Sequence, residues 1–598
     1  MVNVGLVLAN LREKMQISQK EIANGILSIA MMCKVEKGES EVDYIILEAL
    51  FERLGKSADK IEKAISSEDY DLIYLQNEIK KNLIHSNGKQ AKCLLKDYEK
   101  KMDKRKGIHI QYVAMINALS SYLEDRNTRE CIEKLQEALE ITCKTWGKNE
   151  RTFLCNQEMR ICLLISYMRF KEGDFVNADQ ELRSLSDYIQ IRITDEEELV
   201  KIYPHVQLLL AKVCMKQNKV EEAFTMIQKG KQCLIDNGSL FPMDAVLELE
   251  EKCAGFLRKE SLVLEDKKYR EAIQFIYSMA EEAEPKEEIS QILLYSSQTE
   301  YMILNYLVKE MREVKGITQE KLCEGICEQE TLSRIESGRR KPHKKILFEL
   351  MQKLDIEPAN YYGFIVSEEY SQYEMVRTYK KLFHQDKEKA KKILGIIKQE
   401  LDWSEVVNRQ FIEMEELRLN NHVNGTEKIN QLFQILSYTM PEIRGKNRIY
   451  RTPFREEYEI LNAIAIEYRK MGKIKTALEI YKNIEDKYNH SKISIKLHTM
   501  PALTFYMNYA GFLEADNELD KSEIVSRDGL KFIVTNGRAD IAGDILVNRS
   551  CIYDKEEKTQ SEELHLRNGH AMMQLYQLQK ITKFIEEIYY KKYNRFLD

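Results

Sequence analysis

Gln329, Glu330, Thr331, Ser333 and Arg334 stand in a stretch whose other members, Leu332 and Ile335, are apolar at helical spacing. On a helix, those polar residues share the outward face. Gln and Arg there can each make paired hydrogen bonds, to adenine and guanine edges respectively, when the helix lies in a DNA major groove. Arg339, Arg340, Lys341, Lys344 and Lys345 follow at once. From Arg334 to Lys345 there are six basic residues and one acidic, a net of +5 with His343 neutral. A basic cluster beside base-reading side chains is where phosphates would be met.

The elements that must hold this face are legible. Thr318 caps a short helix that opens at Gln319, which belongs to the same candidate interface. Gly325 makes the turn, and Gly338 stops the second helix. This is a helix-turn-helix plan, in which the second helix enters the groove. The plan occurs twice. Leu11 to Leu54 aligns with Met311 to Leu354 without a gap, and Arg12, Ile17, Gln19, Gly25, Glu36, Gly38 and Leu50 recur three hundred positions higher. With a shift of one the register continues, so His85 meets His384, Gln111 meets Gln410 and Asn237-Gly238 meets Asn536-Gly537. In the earlier copy Ser18 and Glu21 form a capping box, and a helix runs from about Ser28 to Lys37. Its outward positions are Ile29, Ala30, Cys33 and Lys34. Lys34 to Ile45 carries two basic and four acidic residues, a net of −2 that would repel phosphate. The second copy is therefore the expected DNA reader. The first is expected to be a packing or dimerisation module that kept its core and lost its face.

Composition sets the wider frame. A chain of 598 residues implies about four domains. With only 24 Gly and 8 Pro, it should be almost all α-helical. The net charge of −6 excludes a globally basic nucleic-acid coat but permits a local basic face. Twelve cysteines lack paired metal spacings. Cys323 and Cys327 have no second pair, so no metal is expected, and reduced thiols suit the cytoplasm. Val4 to Ala9 reads as a first helix rather than a signal peptide. No apolar run approaches the roughly 18 residues of a membrane span. There is no Gly-rich phosphate loop, HExxH or nucleophile elbow, so no catalytic residue and no cofactor are expected.

After each module come helix pairs. In the clearest, Leu461, Ile464, Ala465 and Tyr468 line one helix, Gly472 turns, and Ala477 and Tyr481 face back, a tetratricopeptide pattern. Weaker copies centre on Tyr122, Gly173, Asn218, Asn517 and Tyr553. Stacked pairs would curve into a solenoid with a concave face, the alternative being an irregular helical bundle. The expected fold is all-α: helix-turn-helix at 1–65, tetratricopeptide-like solenoid at 66–298, helix-turn-helix at 299–365 and a second solenoid at 366–598, by internal duplication. Glu281 to Glu288, with Pro285, marks the boundary between halves. Aligning the repeats on their turns places Asn117, Asn508 and Asn548 at one first-helix position, where other repeats carry Leu164 or Leu209. Asn amides can satisfy both donors and acceptors of a peptide backbone. Tyr506 and Arg549, with Tyr509 and Tyr553, would add stacking and charge to that ligand groove.

Gln319-Glu320-Lys321-Leu322, followed by Leu332-Ser333-Arg334-Ile335-Glu336-Ser337-Gly338-Arg339-Arg340-Lys341-Pro342, resembles the Xre/Cro-type helix-turn-helix. Joined to tetratricopeptide-like helices, it is similar to the RRNPP class of quorum-sensing bacterial regulators, which sense short imported signalling peptides in the cytoplasm. That resemblance implies a dimeric transcription factor whose solenoid binds peptide and repositions its heads. Members of that class carry one head per chain, whereas this chain carries two. The expected function is a sequence-specific transcriptional regulator with double-stranded DNA and a short peptide as partners, acting as a homodimer on DNA and away from membranes. The alternative is a scaffold that sequesters a partner protein without binding DNA.

Overall fold

The computed structural model describes residues 4–61, 64–144, 146–147, 151–296, 301–339, 344–354, 364–420, 422–443, 449, 451–490 and 499–597. Within them the chain is helical except for one parallel pair of two-residue strands, Ala64–Ile65 with Met302–Ile303. The first module comprises Val4–Lys14, Gln19–Ala23, Ile29–Glu36 and Tyr44–Arg53, closed by a 3-10 turn at Ala58–Lys60. The second comprises Leu304–Val314, Gln319–Cys323, Gln329–Glu336 and Lys344–Lys353. Local chemistry sets these ends. Ser18 accepts from the Glu21 N–H while Glu21 reaches back, and Ser28 caps the next helix through the Met31 N–H.

Helix hairpins follow each module in the same order. In the first half they are Ser67–Ile84 with Gly88–Lys101, Gly107–Asp125 with Thr128–Thr142, Asn156–Glu172 with Phe175–Arg192, Glu196–Lys216 with Val220–Asp236, and Met243–Phe256 with Glu260–Met279. In the second they are Tyr370–Gln385 with Lys387–Glu400, Val406–Leu419 with Gly425–Leu436, Arg455–Lys470 with Ile474–His490, Thr499–Ala515 with Leu519–Asn536, and Ala542–Lys555 with Thr559–Leu575. Several turns carry a left-handed residue, among them Gly173 and Gly472 and also Asn218 and Asn517. Asn tolerates that conformation better than other side chains.

The halves pack on one another. Asn237-Gly238 and Asn536-Gly537, paired in the sequence alignment, meet in space. Ser239 and Arg538 form an antiparallel bridge, flanked by Leu240 N–H to Gly537 O at 2.7 Å and Ala539 N–H to Gly238 O at 3.0 Å. Main-chain bonds thus cross between the halves in both directions. The segment expected as a boundary is strapped to the first solenoid: the Lys286 and Glu287 N–H groups donate to Ile84 O, and Glu287 pairs with Arg126 at 2.7 Å. One apolar core runs from the first module through its solenoid into the second half, reaching Tyr370, Ile545 and Met572. The second module has a small core of its own, built on Leu307, Val308, Leu322, Leu332, Ile335 and Leu350. All twelve cysteines are thiols, none joined in a disulfide. No helix among the described residues is long and apolar enough to cross a membrane.

Candidate nucleic-acid interface and helical groove

In the second module, Leu332 and Ile335 are fully buried and fix the rotation of Gln329–Glu336. Gln329, Glu330, Ser333 and Arg334 are thereby left exposed, with Thr331 half-buried. Arg334 is bridged to Glu330 at 2.6 Å, but both ends are exposed, so this pair yields readily to a stronger partner. Arg339 and Lys345 are also exposed. Lys344 opens the last helix of the module, while Arg340 and Lys341 lie outside the described residues. Gln319 has a different employment. Its amide donates to Glu336 at 2.8 Å, and Arg312 clamps the same carboxylate at 2.6 Å while bonding Ile317 O at 3.0 Å. The first module repeats this brace with Gln19 to Glu36 at 2.6 Å, Arg12 to Glu36 at 2.6 Å and Arg12 to Ile17 O at 2.8 Å.

Outside the brace the modules part. In the first, Ile29 is 54% exposed and Ala30 and Lys34 are exposed, leaving little to read a base. Its turn is pressed on the solenoid: a Cβ at Gly25, where φ is +72°, would stand 2.3 Å from Thr142 O. Arg53 is buried and bonds Ile22 O, Asn24 O and Thr142 O while meeting Glu158 at 2.5 Å. Glu52 accepts from Asn156 at 2.8 and 2.9 Å, and Lys60 meets Asp195 at 2.6 Å. Burial pushes the Glu48, Glu52 and Glu198 carboxyls upward around this joint, against the pull of Lys201.

The second solenoid has the same socket, filled from within. Gln111 reaches Thr142 in the first half as Gln410 reaches Thr439 in the second. Where Arg53 bonds Thr142 O and Glu158, Arg451 bonds Thr439 O at 3.1 Å and Glu457 at 2.6 and 2.7 Å. The residue at the Arg53 position, Lys353, is exposed and donates within its module, to Glu324 O at 2.9 Å. Above the turn at Gly325 there is open space. The second module instead leans on Phe454 and on the start of Ser67–Ile84, where Ser67 donates to Gly338 O at 3.2 Å.

Of the candidate groove residues, the structure brings Asn508 and Asn548 into one line. Asn548 donates to Met507 O at 2.8 Å, and Asn508 donates to Asn462 Oδ1 at 2.9 Å. Asn462, which the sequence alignment missed, extends the row along three successive first helices, and all three amides are half-buried. Tyr506 is half-buried beside Phe532, with ring centroids 6.0 Å apart. Arg549 is buried and committed to Glu523 at 3.0 Å and to Tyr553 at 3.1 Å, so it braces the wall behind the row. Asn117 is exposed on Gly107–Asp125 of the other half and is not part of this row.

Residues 308–360 match the family model described as Helix-turn-helix (HTH_3). No curated protein matches the chain. Among solved structures it is similar to PlcR of Bacillus thuringiensis in complex with the peptide PapR7 and DNA, at 19% identity and a TM-score of 0.31, over 47% of this chain and 98% of that one. It is similar to ComR of S. thermophilus in complex with DNA and its signalling peptide ComS, at 12% identity and a TM-score of 0.29, over 48% and 97%. A third is the Streptococcus dysgalactiae SHP pheromone receptor Rgg2, at 13% identity and a TM-score of 0.27, over 48% and 99%.

Proposed function

We propose that the chain is a sequence-specific DNA-binding transcriptional regulator whose second module reads the operator. The observation that carries this reading is the exposed face Gln329, Glu330, Ser333 and Arg334, continuous with a basic run, in the segment that matches the helix-turn-helix family. The first module serves as a structural anchor. One reader per chain grips one half-site, so a two-fold operator takes two chains, and the functional form on DNA is a homodimer. A short peptide bound along Asn462, Asn508 and Asn548 would control it by preferring one arrangement of the heads, since equal affinity for both shifts nothing. The recurring Arg–Gln–Glu brace and the matching order of hairpins support an origin by tandem duplication.

The competing reading, a scaffold that binds protein and no DNA, draws on exposed Ile29 in an acidic setting. A selection of genomic fragments with the intact protein separates the two. Enrichment of one motif, lost in Arg334→Ala, supports the regulator. Absence of any enriched sequence overturns it.

A further inference from the structure

The contact between halves is built twice, and its two copies are not alike. At one, the end of Glu260–Met279 meets Leu519–Asn536: Arg527 pairs with Glu281 at 3.2 Å and Lys531 with Glu282 at 2.7 Å. At the other, the end of Thr559–Leu575 faces Val220–Asp236. In the register that pairs Gly230 with Gly529 and Asn237 with Asn536, Gln228 replaces Arg527 and Gln232 replaces Lys531. Gln577 replaces Glu281, each being the left-handed residue just past its helix, with φ of 57° and 55°.

Helix length makes a second difference. Both helices start at equivalent positions, after left-handed Arg258 and Glu557, but the first has 20 residues and the second 17. The missing turn shortens the second helix by about 4.5 Å. In place of two ion pairs this junction holds a cleft of about 640 Å³. Such a volume lies within the roughly 300–1,000 Å³ of small-ligand sites.

The cleft's lining is rich in amides: Gln228 and Gln232 from the first half, Gln574 and Gln577 from the second. The Gln228 and Gln232 amides donate to Glu250 and Asp236 of their own half, at 3.3 and 2.8 Å, and Gln574 accepts from Lys268 across the junction at 3.1 Å, leaving its N–H groups as donors. Lys231 is neutralised by Glu250 at 2.5 Å and Asp266 at 2.8 Å, and the cation of the lining is exposed Lys229, available to the peptide's carboxylate. Glu265, exposed on the wall, accepts from Tyr269 Oη at 2.7 Å and keeps a carboxylate oxygen for a cation.

We propose that this cleft binds a short peptide through its backbone amides and free amino terminus, and that the bound peptide replaces the missing ion pairs and draws the two halves together. The proposal rests on the peptide-responsive reading but places a second site apart from the Asn462–Asn548 row. The amides supply the donors and acceptors that a peptide backbone needs, and Glu265 supplies the counter-charge for its ammonium group.

The test uses the full-length chain, a synthetic pool of pentapeptides with free amino termini, and mass spectrometry of what the protein retains. Gln228→Arg/Gln577→Glu rebuilds the ion pair of the opposite junction and should close the cleft. Retention is expected to survive in Asn508→Ala/Asn548→Ala, where the cleft is left as the binding site, and to fall at least tenfold when Gln228→Arg/Gln577→Glu is added to that variant. Thermal unfolding checks that each variant is folded, and Glu265→Gln, a change at an exposed side chain, gives an independent loss of several-fold. Blocking the amino termini by acetylation should produce the same loss in Asn508→Ala/Asn548→Ala. Peptides lost in the asparagine variant but retained by the closed-cleft variant would overturn the cleft while leaving a peptide-responsive protein. Retention by neither variant nor wild type would overturn both.

Discussion

The two modules share their internal brace, their turn glycine and their apolar core positions, and differ in what surrounds them. The first is locked down by Arg53, Glu52 and Lys60, and its core is continuous with that of the solenoid. The second has its own core and an exposed polar face, and the socket that would hold it is already filled by Arg451. A buried, paired guanidinium is costly to extract, so the first module is fixed in place. The second module is tied by neutral donors, Ser67 N–H to Asn305 at 3.2 Å and Thr452 N–H to Glu310 at 3.0 Å, and can turn without breaking such a pair. The two modules are thus distinguished by where one arginine comes from: the module in one half, the solenoid in the other.

Breaking the anchor should have the largest effect. Arg53→Ala leaves Glu158 buried without its cation and should cost about 3–5 kcal/mol in denaturant unfolding. Lys353→Ala, at the corresponding exposed position, should change stability by no more than about 0.5 kcal/mol. Equal losses would erase the distinction. The turn glycines give a smaller contrast. At Gly325 a Cβ meets open space, and alanine pays only for the left-handed backbone, roughly 1–2 kcal/mol. At Gly25 the same change adds a backbone clash with Thr142, roughly 1–3 kcal/mol more.

On DNA, Arg334→Ala should lose about 1–3 kcal/mol and relax preference at one base, while Arg339→Ala should weaken all sequences alike and flatten the salt slope by about one. Ile29→Ala should leave binding unchanged.

Acid sharpens a different contrast, between the halves. Burial pulls the His565 imidazole down to about 4, with Arg549 beside it and Phe275 of the first half 4.9 Å from its ring. The folded chain therefore binds fewer protons than the unfolded one between pH of about 6.5 and 4. Stability present above the ordinary histidine range is lost as pH falls through that window, by up to about 3 kcal/mol. A pH series of unfolding curves checks this, and His565→Gln should reduce the slope, leaving the share of His205, which burial pulls down to about 3.

The local parts of this architecture were legible because local rules write them. The Ser18–Glu21 capping box, the Ser28 cap and the glycines after each short helix set the helix ends that the structure shows. Gln319 was legible as a candidate contact but its second partner was not: Arg, Gln and Glu recur together in both modules, a signal of the shared internal brace in which its amide meets Glu336. Asn462 escaped because it stands one residue earlier, relative to its turn, than Asn508 and Asn548, and one residue is about 100° of helix rotation. The Arg53–Glu158 pair joins residues 105 apart, a separation at which no periodicity or spacing points from one to the other.

Hydrogen exchange on the intact chain, with and without a selected operator, tests the division into anchor and reader most directly. Without DNA, amides of Ile29–Glu36 should exchange far more slowly than those of Gln329–Glu336, because the first module opens only with its solenoid. With DNA, protection should rise across Gln329–Glu336 and the residues that follow it, and stay unchanged across Ile29–Glu36. Equal exchange in the free protein, or DNA protection at Ile29–Glu36 instead, would contradict the account.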